Sequence, residues 1–281
     1  MLPGSWATAP PLPIAVREGA ATAAGGRLYV AGGAVDDSTL SARAYAFDPA
    51  SGWSRVEDLP EALLWPAAVA HGGTLLVLGG NGSPTAVAGR NAVRALGAAD
   101  GTWSLHSALP VLSVRPLAVA LASGALAVEL GAFPSIPRTA ARLPGAASEW
   151  VASAADLPPF PAEHLVSDGT VAWAVTRELI AEYRDGAWGT PFQPPTRGFV
   201  VGAWAHGGRL YVLQREATLA TMQAWDPGAG AWESLAAPTE AVQRTGAMSA
   251  VLDGRLYLIG GRVSAPGGAV LDRVDVFTPP A

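Results

Sequence analysis

The sequence predicts an all-β protein folded as a six-bladed β-propeller, in which four-stranded antiparallel sheets surround a central channel. Two observations lead to this prediction. A nine-residue phrase, made of a tight turn, an apolar strand and usually a Gly-Gly pair, occurs six times along the 281 residues. A tryptophan that follows a polar turn stands after each of the first five copies. Repeats spaced in this way are typical of propellers and related arrays.

The repeated phrase predicts the second strand of each blade together with the turn that leads into it. Its turn pairs are Gly-Gly, Ser-Gly or Asp-Gly, which permit the positive φ angles of tight hairpins. The copies, in chain order, are GGRLYVAGG (25–33), GGTLLVLGG (72–80), SGALAVELG (123–131), DGTVAWAVT (168–176), GGRLYVLQR (207–215) and DGRLYLIGG (253–261).

The tryptophans predict the fourth strand of each blade. They are Trp53, Trp103, Trp150, Trp188 and Trp232. The sixth copy is followed by a strand over 270–277 but by no tryptophan, whereas Trp6 stands near the start of the chain without a preceding phrase. We therefore expect residues 1–13 to complete the last blade and remove its open edge. The predicted single domain, 1–281, has blades at 14–60, 61–110, 111–158, 159–195, 196–240 and 241–281 plus the closing strand.

The unit resembles the kelch motif, with Gly-Gly after the second strand, an aromatic residue before the turn of the third, and Trp opening the fourth. The resemblance covers essentially the whole chain, although Leu130-Gly131, Val175-Thr176 and Gln214-Arg215 replace the Gly pair in the third to fifth copies. It implies a binding propeller. Six-bladed bacterial kelch proteins also include the N-acetylneuraminate epimerases (mutarotases), so the resemblance implies a carbohydrate isomerase as an alternative.

Composition narrows the function classes. The net charge is −5, which disfavours a nucleic-acid partner. All 18 basic residues are arginine, so lysine Schiff-base chemistry is excluded. There is no cysteine, hence no thiol catalysis or thiolate metal site, and the four histidines lack metal-ligand spacing. We expect no cofactor and no metal.

The chain shows no targeting or membrane segment. The start, MLPGSWATAPPLP, has neither a basic nor an apolar region typical of a signal peptide. We therefore expect a cytoplasmic protein unless a leader was removed. The apolar stretch 116–133 is interpreted as two core strands, because Ser123-Gly124 forms a turn and Glu129 interrupts the run. We expect a monomer without a membrane partner.

The candidate site is one rim of the central channel, where two sets of loops emerge together. The loops that enter the innermost strands and those that leave the second strands carry little core packing, so function concentrates there. Arginine forks pair with carboxylate or phosphate, and aromatic residues suit a sugar or peptide face. The candidate ligand-binding residues are Arg17, Glu18, Trp65, Arg115 and Arg244 before innermost strands, and Asn81, Arg177, Glu178, Gln214, Arg215, Glu216 and Arg262 after second strands.

Glu129 completes the candidate set. It stands at a position where other copies have Ala31, Leu78 and Ile259. A carboxylate at such a core position needs a partner, or its pKa rises. Two interpretations stay open: a pocket residue, or a buried ion pair with a nearby arginine.

Three functions remain at this point. The first is a kelch-type binding module that holds an anionic peptide or an acidic saccharide in an Arg-rich pocket. The second is a cofactor-independent sugar mutarotase or epimerase, with Glu129, Glu178 or Glu216 as the acid–base group and Arg177 or Arg215 holding the sugar carboxylate. The third is a scaffold that binds a protein partner. No motif beyond the repeat identifies catalytic residues.

Overall fold

The protein is a six-bladed β-propeller. The computed structural model describes residues 3–97, 101–129, 138–145, 147–217, 219–238, 243–265 and 267–280, except for the side chain of residue 129. These residues form six four-stranded antiparallel sheets, and each innermost strand contacts the innermost strands of the blades on either side, the sixth contacting the first. The predicted fold class is therefore confirmed.

In blades 1 to 5 the strands run outward from the channel in chain order. Blades 1 to 3 consist of Ala20–Ala24, Arg27–Ala31, Ala44–Asp48 and Gly52–Arg55; Ala67–His71, Thr74–Leu78, Arg90–Leu96 and Trp103–Ser113; and Pro116–Leu121, Gly124–Glu129, Thr139–Pro144 and Val151–Ala152. Blades 4 and 5 consist of His164–Ser167, Ala172–Val175, Ile180–Arg184 and Ala187–Trp188; and Phe199–His206, Arg209–Glu216, Leu219–Asp226 and Ala231–Leu235.

Blade 6 joins the two ends of the described chain. Its strands are Met248–Leu252, Arg255–Ile259, Val274–Thr278 and Ser5–Ala9. The last two pair in antiparallel register with Trp6 opposite Phe277, which confirms that the N-terminal strand closes the ring. Two shorter elements lie outside the six sheets: the pair Arg244–Thr245 with Arg262–Val263, and a 3₁₀ turn over Ala154–Asp156.

The tryptophans of the outermost strands connect neighbouring blades. The indole N–H of Trp6 donates a hydrogen bond to the carbonyl oxygen of Ala236, at the end of the outermost strand of blade 5 (2.8 Å). Three other blade junctions have the same bond, from Trp53 to Pro10 (2.9 Å), Trp103 to Glu57 (2.8 Å) and Trp188 to Asp156 (2.8 Å). Each bond satisfies a polar group beside apolar packing. The tryptophan of the sequence repeat is therefore a repeated blade-to-blade connection.

Glycine after the second strand lets the next blade's entry loop approach. A Cβ on Gly260 would lie 2.3 Å from the carbonyl oxygen of Val16, and Gly260 has φ +59°. No other residue fits both the space and the backbone angle. The Gly-Gly pair thus serves packing between blades.

Blade 5 is taller than its neighbours. Its three inner strands have eight residues each, against five in blade 1. The extra residues extend the hairpin at the end that faces the channel rim, where Gln214 pairs with Thr221 and Glu216 with Leu219. The hairpin stands above the rim beside the channel. No helix in the described part of the chain is long and apolar enough to cross a membrane.

Candidate functional site

The central channel is narrow and lined mostly by small apolar side chains. Its deeper part has a volume of about 240 Å³, with alanines from most of the six innermost strands in its wall. Its upper part has a volume of about 140 Å³, bounded by Pro66, Pro116, His164 and Met248. Because this wall offers few polar side chains, we expect chemistry at the mouth, where the innermost strands begin.

Three blades place an equivalent residue at the mouth in the left-handed backbone conformation. Glu18 has φ +56°, Trp65 has φ +53° and Gly246 has φ +63°. In each of these blades, the residue just before the left-handed one pairs with the residue that stands three positions after the end of the second strand. The amide of Glu18 donates to the carbonyl of Gly246 and that of Trp65 to the carbonyl of Glu18, both at 2.8 Å. These bonds link blades 6, 1 and 2 along the mouth.

The left-handed conformation is costly for Glu18 and Trp65. A residue with a Cβ pays about 1–2 kcal/mol there, whereas glycine pays almost nothing. Blade 6 uses glycine at this position, so the position itself does not require a side chain. Strained residues of this kind cluster at functional sites. The two side chains are therefore the first indication of a site at the mouth.

The half of the rim formed by blades 1 and 6 is internally neutralised. Arg17 pairs with Glu18 and lies 3.4 Å from an Asp37 carboxylate oxygen, and Arg262 forms a two-pronged contact with Asp37. The backbone and side-chain hydrogen bonds from Ser38 and Thr39 lower the pKa of Asp36 to about 2. On this half of the rim, Arg17 and Arg262 are therefore already paired with carboxylates of the protein itself.

The opposite half begins with an arginine stacked on a tryptophan. The guanidinium carbon of Arg115 lies 5.7 Å from the centroid of the Trp65 ring, a cation–π geometry. Arg115 is exposed and has no salt bridge to a carboxylate within the described residues. The Trp65 indole N–H is shielded from solvent and has no hydrogen-bond partner among those residues. An arginine without a salt bridge to any described carboxylate thus lies on an aromatic face at the mouth.

Blade 4 adds two ionisable groups that the sequence pattern did not indicate. Glu163 is half-buried, and burial raises the pKa of its carboxyl while Arg177 and Arg115 act in the opposite direction. The pKa of His164 is lowered to about 4 by burial, aided by Arg115, while a hydrogen bond to the Val200 backbone opposes the shift. His164 is therefore neutral at pH 7. Glu163 is therefore a titratable carboxyl at the mouth with a pKa raised by burial.

Blade 5 repeats the arginine–aromatic pair. The guanidinium carbon of Arg215 lies 5.6 Å from the centroid of the Phe199 ring, and Nη1 is 3.4 Å from Oε1 of Gln243. Glu216 is exposed at the end of the same hairpin. Gln214 is buried, accepts a hydrogen bond from Thr196 and faces the Gly198 carbonyl at 3.4 Å, so it belongs to the hairpin's interior.

Of the remaining candidates, Arg244 and Asn81 lie apart from the open half of the rim, which runs from Trp65 and Arg115 to Phe199 and Arg215, whereas Arg177 and Glu178 act electrostatically on Glu163 within it. Arg244 is buried within blade 6, where it pairs with Asp275 and donates to the Gly260 carbonyl (2.9 Å), and burial lowers its pKa to about 10. Asn81 is buried, and among the described residues its side chain bonds to backbone groups of its own loop. Arg177 and Glu178 are exposed and 3.4 Å apart. The side chain of Glu129 lies outside the described residues.

Within the described ranges, no group of three histidine, aspartate or glutamate side chains is placed to hold a metal ion. The site is a set of arginines, aromatic faces and one half-buried carboxyl. A positional signal for Glu163 did exist in the sequence: it directly precedes an innermost strand, as Arg115 does. The aromatic residue at the same junction, Phe160, is buried in the core instead.

Neither a family model nor a curated protein matches this chain. Among solved structures, that of YjhT superposes with a TM-score of 0.72 over 94% of this chain and 95% of that chain. The chain shares its fold with YjhT. The sequences are 14% identical, so this likeness concerns the propeller architecture and not the side chains at the mouth.

Proposed function

We propose that the channel mouth binds a small acidic saccharide. The observation that supports this most directly is the position of the Arg115 guanidinium on the face of Trp65. Arg115 has no salt bridge to a carboxylate among the described residues. Trp65 itself is held in a strained backbone conformation that glycine adopts in blade 6. The role is of the binding type that the kelch resemblance implies.

The chemistry of the open half fits such a ligand. An arginine fork binds a carboxylate with two parallel hydrogen bonds, and the flat indole matches the apolar face of a sugar ring. Glu163 supplies a further polar group for sugar hydroxyls on the next blade. An acidic peptide would meet the same cation but would have less use for the aromatic face.

Calorimetric titration of a defined sugar panel tests this function. N-acetylneuraminate and galacturonate are compared with galactose, which lacks a carboxylate. We expect both acidic sugars to bind to the unmodified protein, and Arg115→Ala to weaken their affinity at least about tenfold. Galactose should bind to the unmodified protein no more tightly than the acidic sugars bind to Arg115→Ala. Arg27→Ala, at an exposed arginine that begins the second strand of blade 1, is the matched control and should bind like the unmodified protein.

Three results would contradict the proposal. The proposal fails if galactose binds as tightly as galacturonate, or if Arg115→Ala leaves the affinity unchanged. It also fails if neither acidic sugar binds with a Kd below about 10 mM. If an Asp- and Glu-rich peptide instead binds and depends on Arg115, the mouth is a peptide site.

A second function, sugar mutarotation, is favoured by Glu163. Burial raises the pKa of its carboxyl, and Arg115 acts on it electrostatically, so an acid–base group stands near the cation that would hold a sugar acid. Ring opening needs a proton delivered to the ring oxygen as the bond from that oxygen to the anomeric carbon breaks, and a proton removed from the anomeric hydroxyl. Reclosure on the other carbonyl face returns both protons.

NMR exchange between the anomers of N-acetylneuraminate tests this activity. The expected result is a rate above that of buffer, lost in Glu163→Gln while binding persists. An unchanged rate with tight binding would leave the protein a binding module without this activity.

A further inference from the structure

The Phe199–Arg215 pair on the tall hairpin is a second complete unit of the same kind as Trp65–Arg115. Phe199 is 42% exposed, and the two residues are direct cross-strand partners. Arg215 has no salt bridge to a carboxylate among the residues described, and its Nε is shielded and without a hydrogen-bond partner there. Leu219, on the same hairpin, is 66% exposed.

This hairpin extends beyond what blade packing requires. The blade core contains Leu213, Met222 and Tyr211, all buried. Past Leu213 the strands continue for three more residues on each side, and these carry the exposed apolar and charged side chains. An exposed phenylalanine that an arginine covers on one side presents its remaining surface to solvent. Large exposed apolar surface beside a cleft marks an interaction site.

The two units are connected through blade 4. Arg115 acts electrostatically on both Glu163 and His164. The innermost strand of blade 4, which begins at His164, contacts the innermost strand of blade 3, which begins directly after Arg115, and the innermost strand of blade 5, which begins at Phe199. One continuous arc therefore leads from the Trp65–Arg115 unit across blade 4 to the Phe199–Arg215 unit.

We infer that the Phe199–Arg215 unit is a second subsite, and that the ligand class is an acidic oligosaccharide with carboxylates on successive sugars. This inference rests on the proposed function. Each unit offers one cation for a carboxylate and one aromatic face for a sugar ring, so a repeated recognition unit matches a repeated ligand. Two linked subsites raise affinity because the second contact is intramolecular.

Titration with galacturonate and its α-1,4-linked dimer and trimer tests the inference. The unmodified protein should bind the trimer at least about tenfold more tightly than the monomer. Phe199→Ala and Arg215→Ala should abolish that gain and leave monomer affinity within about twofold. Arg215→Lys keeps the charge but loses the planar stack, and should recover only part of the gain. Arg115→Ala should weaken monomer and trimer alike.

The outcomes separate the two proposals. If the monomer binds and depends on Arg115 but the trimer binds no more tightly, the second subsite is refuted and the proposed function stands. The second subsite is also refuted if Phe199→Ala and Arg215→Ala weaken monomer and trimer equally. If the monomer does not bind at all, the proposed function fails first. Thermal unfolding of each variant establishes that the fold is retained.

Discussion

Replacing Trp65 by glycine and, separately, by alanine isolates the backbone strain at the mouth. Both variants lose the same indole packing and the same stack with Arg115. They differ only in the presence of a Cβ at a residue with φ +53°. The difference in stability between them therefore reports the cost of holding a side chain there.

The magnitude follows from two opposing contributions. Glycine relieves about 1–2 kcal/mol of left-handed strain. It also loses about 0.5–1 kcal/mol more chain entropy on folding than alanine does. We expect Trp65→Gly to be more stable than Trp65→Ala by about 0.75 kcal/mol, the difference between the midpoints of these two ranges, and both variants to lose the acidic saccharide.

Urea unfolding followed by tryptophan fluorescence measures the difference. The reverse substitution, Gly246→Ala, is the matched control in blade 6, where a Cβ would lie 2.8 Å from Cγ of Glu18 at φ +63°. It should destabilise the protein by about 1 kcal/mol or more. Equal stability of Trp65→Gly and Trp65→Ala, or a neutral Gly246→Ala, would refute the assignment of strain to the mouth.

Two further predictions concern buried charges. Arg244→Met leaves the buried Asp275 with Arg273 as its remaining ion-pair partner among the described residues, and should lower the free energy of unfolding in urea by about 3 kcal/mol. Arg262→Met, on the more exposed rim, should lower it by less than about 1 kcal/mol. Equal losses in the two variants would contradict the argument. Glu163 has a pKa raised by burial, so its contribution to stability is present below its unfolded value and is lost as pH rises through the folded value. The melting temperature of the unmodified protein should therefore fall as pH rises from about 4 to neutral, and Glu163→Gln should remove this decline. Parallel pH profiles of melting temperature for the two proteins would contradict the prediction.

Much of the fold was predictable because it depends on short-range chemistry. The turn pairs and the Gly-Gly phrase specify hairpins and close blade contacts, and the outermost tryptophans occur once per blade. Trp6 supplies the tryptophan that the sixth copy lacks, and its hydrogen bond to Ala236 lies at the predicted closure. The height of the blade 5 hairpin was not predicted, because it depends on how far pairing continues past the usual stop.

The site was less predictable because side-chain direction alternates along a strand. In blade 1, Arg17 pairs with the residue three positions after the end of the second strand. In blade 6, the residue that makes the equivalent pair is Thr245. Arg244 stands one position earlier than Arg17 and therefore points to the opposite side, into the blade. Sequence spacing placed both arginines before an innermost strand, but a shift of one residue separates a rim side chain from a buried one.

Ring closure between Ser5–Ala9 and Val274–Thr278 has a consequence for how the protein forms during translation. The outermost strand of blade 6 leaves the ribosome before the other strands of the propeller, yet its partner emerges more than 260 residues later. Through most of synthesis this segment has no strand to pair with, and the growing arc of blades keeps an open side. At typical rates of about 5–20 residues per second, that interval lasts on the order of tens of seconds. We therefore expect the pairing of these two strands to be among the last steps of folding.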